Sequence, residues 1–170
     1  RDLHYPLRRQ RQICIRDRFG IMSVSDITRD PTTGETPSEQ ERIKATLAIA
    51  KHSEEVGLDV FAIGEHHNPP FWSSSPTTFL AALAAQTERL IVSTSTTLIT
   101  TNDPVRIAEE YAMLQHVSDG RMDLMLGRGN TGPVYPWFGQ DIRQGLPLAI
   151  ENYALLHKLC LLYTSPSPRD

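Results

Sequence analysis

Asp59-Val60-Phe61-Ala62-Ile63-Gly64-Glu65-His66-His67 is a short apolar run that ends abruptly in three titratable side chains. It follows a glycine turn at Gly57, and it reads as a strand buried in a parallel sheet. The polar cluster then falls where that strand leaves the sheet. In α/β folds this carboxyl edge is where ligands bind.

The flanking segments repeat the arrangement. Phe19–Val24 is a candidate first strand, followed by a long polar loop over 26–36. Thr36-Pro37-Ser38-Glu39 reads as a capping box with proline at the first helical position. Ile43, Leu47 and Ala50 share one face of the helix that follows. Phe79, Leu80, Leu83 and Ala84 mark a second helix over about 77–87. Leu90-Ile91-Val92 opens a third strand that continues through Ser93-Thr94-Ser95-Thr96-Thr97 to Ile99. Asp103-Pro104 starts a third helix with Ile107, Tyr111 and Leu114 as its buried stripe and Gly120 at its end. Met122–Leu126 is the fourth strand, leading into Gly127-Arg128-Gly129-Asn130, and a last helix begins near Pro147. Strand and helix alternate four times, with short helix-to-strand turns and longer strand-to-helix loops. This pattern predicts a parallel α/β fold, and the loop asymmetry favours a (β/α)8 barrel. A whole barrel takes about 250 residues, so the amino-terminal half is expected.

Composition is that of an ordinary globular chain, 39% hydrophobic and 22% charged. No apolar run approaches the roughly 20 residues that span a bilayer, so no membrane partner and a cytoplasmic location are expected. A net charge of −3 weighs against a nucleic-acid partner. Charge is distributed unevenly: residues 1–18 carry +4 and residues 19–158 carry −7. Cys14 and Cys160 both lie in the ends, so no disulfide framework supports the fold. Residues 8–18 and 160–170 resemble translated sequencing adaptors, one at each end. The expected organisation is therefore a foreign, disordered tail over 1–18, a partial barrel over 19–158 and a second such tail over 159–170.

Glu65-His66-His67 admits three readings: a solvated surface turn, a zinc site, or a ligand pocket with a histidine moving a proton. Adjacent histidines point to opposite sides of a strand, and no HxH or HExxH spacing is present, so no metal is expected. The strand-end position favours proton transfer, for which an imidazole is suited near neutral pH. Gly127-Arg128-Gly129 lets backbone approach a ligand closely and offers a guanidinium fork for phosphate. Ser93–Thr97 either bonds its own backbone or forms a polar wall against a bound ring. Trp72, Trp137 and Phe138 read as loop packing.

In combination these residues resemble the bacterial luciferase-like flavin-dependent monooxygenases. The resemblance is carried by Gly57-Leu58-Asp59-Val60-Phe61 with Glu65-His66-His67, the Pro104-Val105-Arg106 helix entry, Ser118-Asp119-Gly120-Arg121-Met122, and Gly127-Arg128-Gly129 with Phe138-Gly139. It covers residues 19 to about 156 and only the amino-terminal half of such a protein. It implies reduced FMN, supplied by a separate flavin reductase, bound at the carboxyl ends of the strands. The implied reaction uses O2 to oxidise an aldehyde-like small molecule. By position, His66 is the implied acid/base, His67 its support, and Glu65 the residue that orients both. Arg128, with Gly127 and Gly129, would hold the flavin phosphate, and a non-prolyl cis peptide facing the ring would fall at Ser95-Thr96. Luciferase itself has a cysteine where Gly127 stands, and an expected second phosphate-binding arginine is Leu146 here. A homodimer of the full-length protein is implied. A deazaflavin-dependent oxidoreductase and a non-catalytic partner subunit are the alternatives.

Overall fold

A computed structural model describes residues 17–163, with side chains described to Leu161. Of the tails expected over 1–18 and 159–170, residues 1–16 and 164–170 lie outside the described residues. Four strands, β1 (Gly20–Ser23), β2 (Val60–Ile63), β3 (Ile91–Thr94) and β5 (Met122–Asp123), pair in sequence order, each parallel to the next. Helices α1 (Glu39–Glu55), α2 (Pro76–Ala84) and α3 (Pro104–Val117) connect them. A parallel pair needs such a crossover, and sequential order with a helix after every strand is the course of one side of a (β/α)8 barrel.

Two strands are broken where one unbroken strand was expected. The third resumes as β4 (Thr97–Leu98) after a cis Ser95–Thr96 peptide, and the fourth resumes as β6 (Leu126–Gly127). β4 and β6 pair with each other in parallel. Thr94 bridges the interruption, its Oγ1 donating to the Met125 carbonyl at 3.0 Å and accepting from the Met125 N–H at 3.1 Å. A side-chain hydroxyl thus satisfies backbone groups that the ladder leaves over.

The core lies between sheet and helices. Phe61, Ile63, Leu80, Leu83, Leu90 and Val92 have no exposed surface. The predicted stripes of α2 and α3 are both buried. α1 starts two residues later than Thr36-Pro37 implied. Ser38 is its cap, accepting from the Glu41 N–H while the Glu41 carboxylate accepts from the Ser38 N–H at 2.8 Å. Ser38 with Glu41 fulfils the reciprocal pattern, so Pro37 stays outside the helix. α1 buries Thr46, Ala50 and Ser53, whereas Ile43 is 38% exposed.

At the amino end of the sheet Glu54 accepts from the backbone N–H groups of Glu88, Arg89 and Leu90 at 3.0, 2.5 and 2.7 Å. Arg121 donates to the carbonyls of Ala84, Thr87 and Leu90. These side chains tie helix ends to strands on the face opposite the carboxyl edge. The last helix, α4, runs Gly145–Tyr163. It overturns the expected disordered tail for residues 159–163. Leu156 is buried and Leu159 packs against the core, so the helical stripe extends past Lys158. Asn152 Nδ2 also donates to the Ile99 carbonyl at 2.8 Å, pinning α4 to the loop after β4.

Candidate functional site

The apolar half of the opening stretch is β2, and its end delivers Glu65 into the interior. Glu65 is 4% exposed. Its Oε2 accepts from the Leu98 N–H at 2.9 Å, and its Oε1 accepts from Asn102 Nδ2 and lies against His67 Nε2, both at 2.8 Å. A buried carboxylate is tolerable only when its lone pairs are so occupied. The solvated-turn reading is therefore excluded for Glu65. His67 is held by this contact on one side and by the edge of Phe138, 4.7 Å between centroids, on the other.

His66 points elsewhere. Its N–H donates to the Ser73 carbonyl at 2.8 Å, and its ring stacks on Phe71 at 4.1 Å and 20°. Phe71 is steadied by a bridge to Asp26 in the loop after β1. Burial lowers the His66 pKa below the ordinary imidazole value, the neighbouring His67 lowers it further, and Glu65 opposes both. The ring is therefore held toward its neutral form.

The break in the third strand lies beside His66. An open cleft of about 380 Å³ is lined by His66, Ser95, Thr96, Leu98, Arg128, Gly129 and Asn130. Five predicted site residues thus share one mouth, with Gly127 packed directly behind Thr96. A Cβ at Gly127 would fall 2.9 Å from Thr96 Cβ and closer still to its hydroxyl. Gly129 has φ +73, which turns the chain around Arg128. Among the described residues Arg128 has no side-chain hydrogen bond or ion pair.

The serine–threonine run divides. Ser93, Thr94 and Thr97 are buried and bonded within the protein, whereas Thr96 and Ser95, the latter with its hydroxyl donating to Met22 Sδ at 3.1 Å, line the cleft. Trp72 packs on Phe79, as expected of a loop aromatic. Leu146 is 61% exposed at the start of α4. The nearest preceding arginine, Arg143, is forked onto Asp141.

A half-open cleft with hydroxyls on one wall, an unengaged guanidinium on a glycine turn and a near-neutral imidazole fits a flat polar ring carrying a phosphate. The model of the luciferase-like monooxygenases matches residues 18–166. The chain belongs to that family. Within the luciferase-like family, the alkanal monooxygenase alpha chain of Photorhabdus luminescens is 31% identical over 120 residues, 70% of this chain and 33% of that protein. The monooxygenase RslO1 of Streptomyces bottropensis superposes with a TM-score of 0.75 at 26% identity, over 84% of this chain and 42% of that one. The oxygenating constituent of 3,6-diketocamphane monooxygenase from Pseudomonas putida, solved in complex with FMN, shares the fold. Its TM-score is 0.72 at 19% identity, over 84% of this chain and 38% of that one. The chain spans about a third of the length of the curated relatives it matches.

Several residues that shape this luciferase-like site carry no sequence signal of their own. Asn102 meets Glu65 from the turn before α3, and Phe71 and Ser73 hold His66 through a loop. Tyr135 and Thr100 grip the Gly-Arg-Gly turn from behind: Tyr135 donates to the Arg128 carbonyl at 2.7 Å and Thr100 Oγ1 donates to the same atom at 2.6 Å. Only the placement of Asn102 directly before the Asp103-Pro104 cap gave a local hint.

Proposed function

We propose that the chain is the amino-terminal part of a flavin-dependent monooxygenase that takes reduced FMN from a separate flavin reductase and oxidises an aldehyde-like small molecule with O2. The observation that supports it most is the shared cleft of His66, Ser95, Thr96, Arg128 and Gly129 at the carboxyl edge. Arg128 and the Gly127–Gly129 backbone would hold the phosphate, and Ser95 and Thr96 would face the ring. When bound, reduced FMN supplies the electrons for O2 activation, with one oxygen atom passing to the substrate and the other leaving as water. His66, biased toward its neutral form, accepts or donates a proton at the cleft. His67 and Glu65 hold the shape behind it, and the closed packing of Phe71 on His66 limits water on that side.

Cytoplasmic location and a homodimer of the full-length protein belong to the same proposal; no helix among the described residues is long and apolar enough to cross a membrane. The test is anaerobic titration of the full-length protein with reduced FMN, followed by aldehyde-dependent O2 uptake. Tight binding and uptake are expected, with His66→Ala reducing turnover by about 10²- to 10⁴-fold. Binding of a reduced deazaflavin in place of FMN, without O2 uptake, would move the assignment to a hydride-transferring oxidoreductase. Turnover untouched by His66→Ala would remove the histidine's role.

A further inference from the structure

We infer that Asn102 is a positioning residue that fixes the Glu65 carboxylate and, through it, which ring nitrogen of His67 carries the proton. The inference rests on the proposed flavin chemistry for its kinetic consequence, but its structural content stands on contacts within this chain. Asn102 Nδ2 lies 2.8 Å from Glu65 Oε1 and 2.9 Å from the Leu98 carbonyl. Both partners accept, so the amide nitrogen, not the oxygen, faces them. Asn102 immediately precedes Asp103, whose carboxylate caps α3 by accepting from the N–H groups of Val105 and Arg106. The start of that helix therefore anchors the amide.

Glu65 is thereby gripped twice by one loop. Leu98 donates to Oε2, and Asn102 donates to Oε1 alongside His67 Nε2. An ionised carboxylate only accepts, so His67 Nε2 must carry a hydrogen and a neutral ring keeps Nδ1 as its acceptor. Without Asn102, Oε1 loses a donor in a buried place and the carboxylate is free to turn about its broad terminal torsion.

The other titratable groups that face Glu65 are His66, Tyr111, Arg106 and Glu110. The last three line a polar cavity of about 140 Å³ behind it, together with Asn102 and Thr97. Tyr111 is hydrogen-bonded to Thr97, and Arg106 is paired with Glu109 and Glu110. None of them donates to Glu65 among the described contacts. Asn102 does not line the cleft that holds His66 and Arg128.

The experiment compares wild type, Asn102→Leu and Asn102→Asp in the full-length protein. Leu keeps the volume and removes the donor. Asp is isosteric, repels Glu65 when ionised and donates again when protonated. Reduced FMN binding is expected to stay unchanged in both, while kcat falls roughly ten- to hundredfold. The Asp deficit should narrow as pH falls, and the Leu deficit should not. Nitrogen-15 spectra of His67 should show the Nε2–H tautomer in wild type and a mixture in Asn102→Leu. An unchanged rate, pH profile and His67 spectrum in folded Asn102→Asp would overturn the inference. If Asn102→Leu does not fold, the pH dependence of the Asp variant alone decides. Should wild type show no flavin turnover, the functional reading falls, and the His67 tautomer still tests Asn102.

Discussion

Thr96 and Gly127 occupy one space at the wall of the cleft. Any side chain at 127 would meet the Thr96 side chain, so the two positions are coupled. Gly127→Ala is expected to cost about 1–3 kcal/mol of stability through overpacking. Adding Thr96→Gly should recover most of that loss, a coupling measurable by urea unfolding of the single and double variants. Phe71 has a different effect on its partner. Because burial is the main cause of the lowered His66 pKa, Phe71→Ala should move the NMR titration midpoint of His66 back up. The sign follows from linkage. A histidine whose pKa is lower folded than unfolded contributes stability above the unfolded value, about 6.5, and loses it as pH falls toward the folded one. Wild type should thus lose stability on mild acidification faster than His66→Gln. At this scale the sequence pointed to the carboxylate, the two imidazoles and the guanidinium, since a strand end announces itself by an abrupt change of polarity. It did not expose Asn102, Tyr135 or Phe71, whose roles come from loops meeting across separations of up to 37 residues with no fixed spacing.

Elements were legible wherever a cap and a stripe agreed. Asp103-Pro104 with Ile107, Tyr111 and Leu114 gave α3 as found, because cap and buried face point to the same start. α1 was misplaced at its beginning because Thr36 and Ser38 both satisfy the cap chemistry, and only the reciprocal bond to Glu41 separates them. Ser38→Ala should accordingly cost about 1 kcal/mol, read as a lowered urea midpoint, whereas Thr36→Ala should leave it unchanged. The breaks within the third and fourth strands were hidden because hydroxyl side chains can extend a ladder or replace it, and Thr94 does the latter. Between α1 and β3, Glu54 makes a testable junction. Burial raises its carboxyl pKa, but the N–H groups of Arg89, Leu90 and Glu88 outweigh that and leave it below the usual glutamate range. A depressed carboxylate stabilises above its unfolded pKa and ceases to do so below it. Glu54→Gln should therefore be less stable than wild type at neutral pH, with the gap closing as pH falls through about 4.

Among the described residues the four-stranded sheet has two edges, β1 and β5, each with an unpaired row of backbone groups. Phe19, Met22 and Met125 beside those edges are 67%, 56% and 48% exposed. Edges of this kind seek further strands, so the isolated 170-residue chain is expected to self-associate, as sedimentation would show. The repeating order of strands and helices was legible because each unit carries its own periodicity. The length of α4 was not, since the end of the chain resembles a translated adaptor while the helix runs on to Tyr163, with Leu159 packed against the core. That helix reaches far into the chemistry. Through the Asn152 amide it clips the backbone at Ile99, one residue beyond Leu98 and three before Asn102. Shortening the protein from its carboxyl end to before Asn152 would therefore work like drawing a bolt from a hinge: the loop that clasps Glu65 would swing loose, and the two imidazoles would lose their alignment with no cleft residue touched.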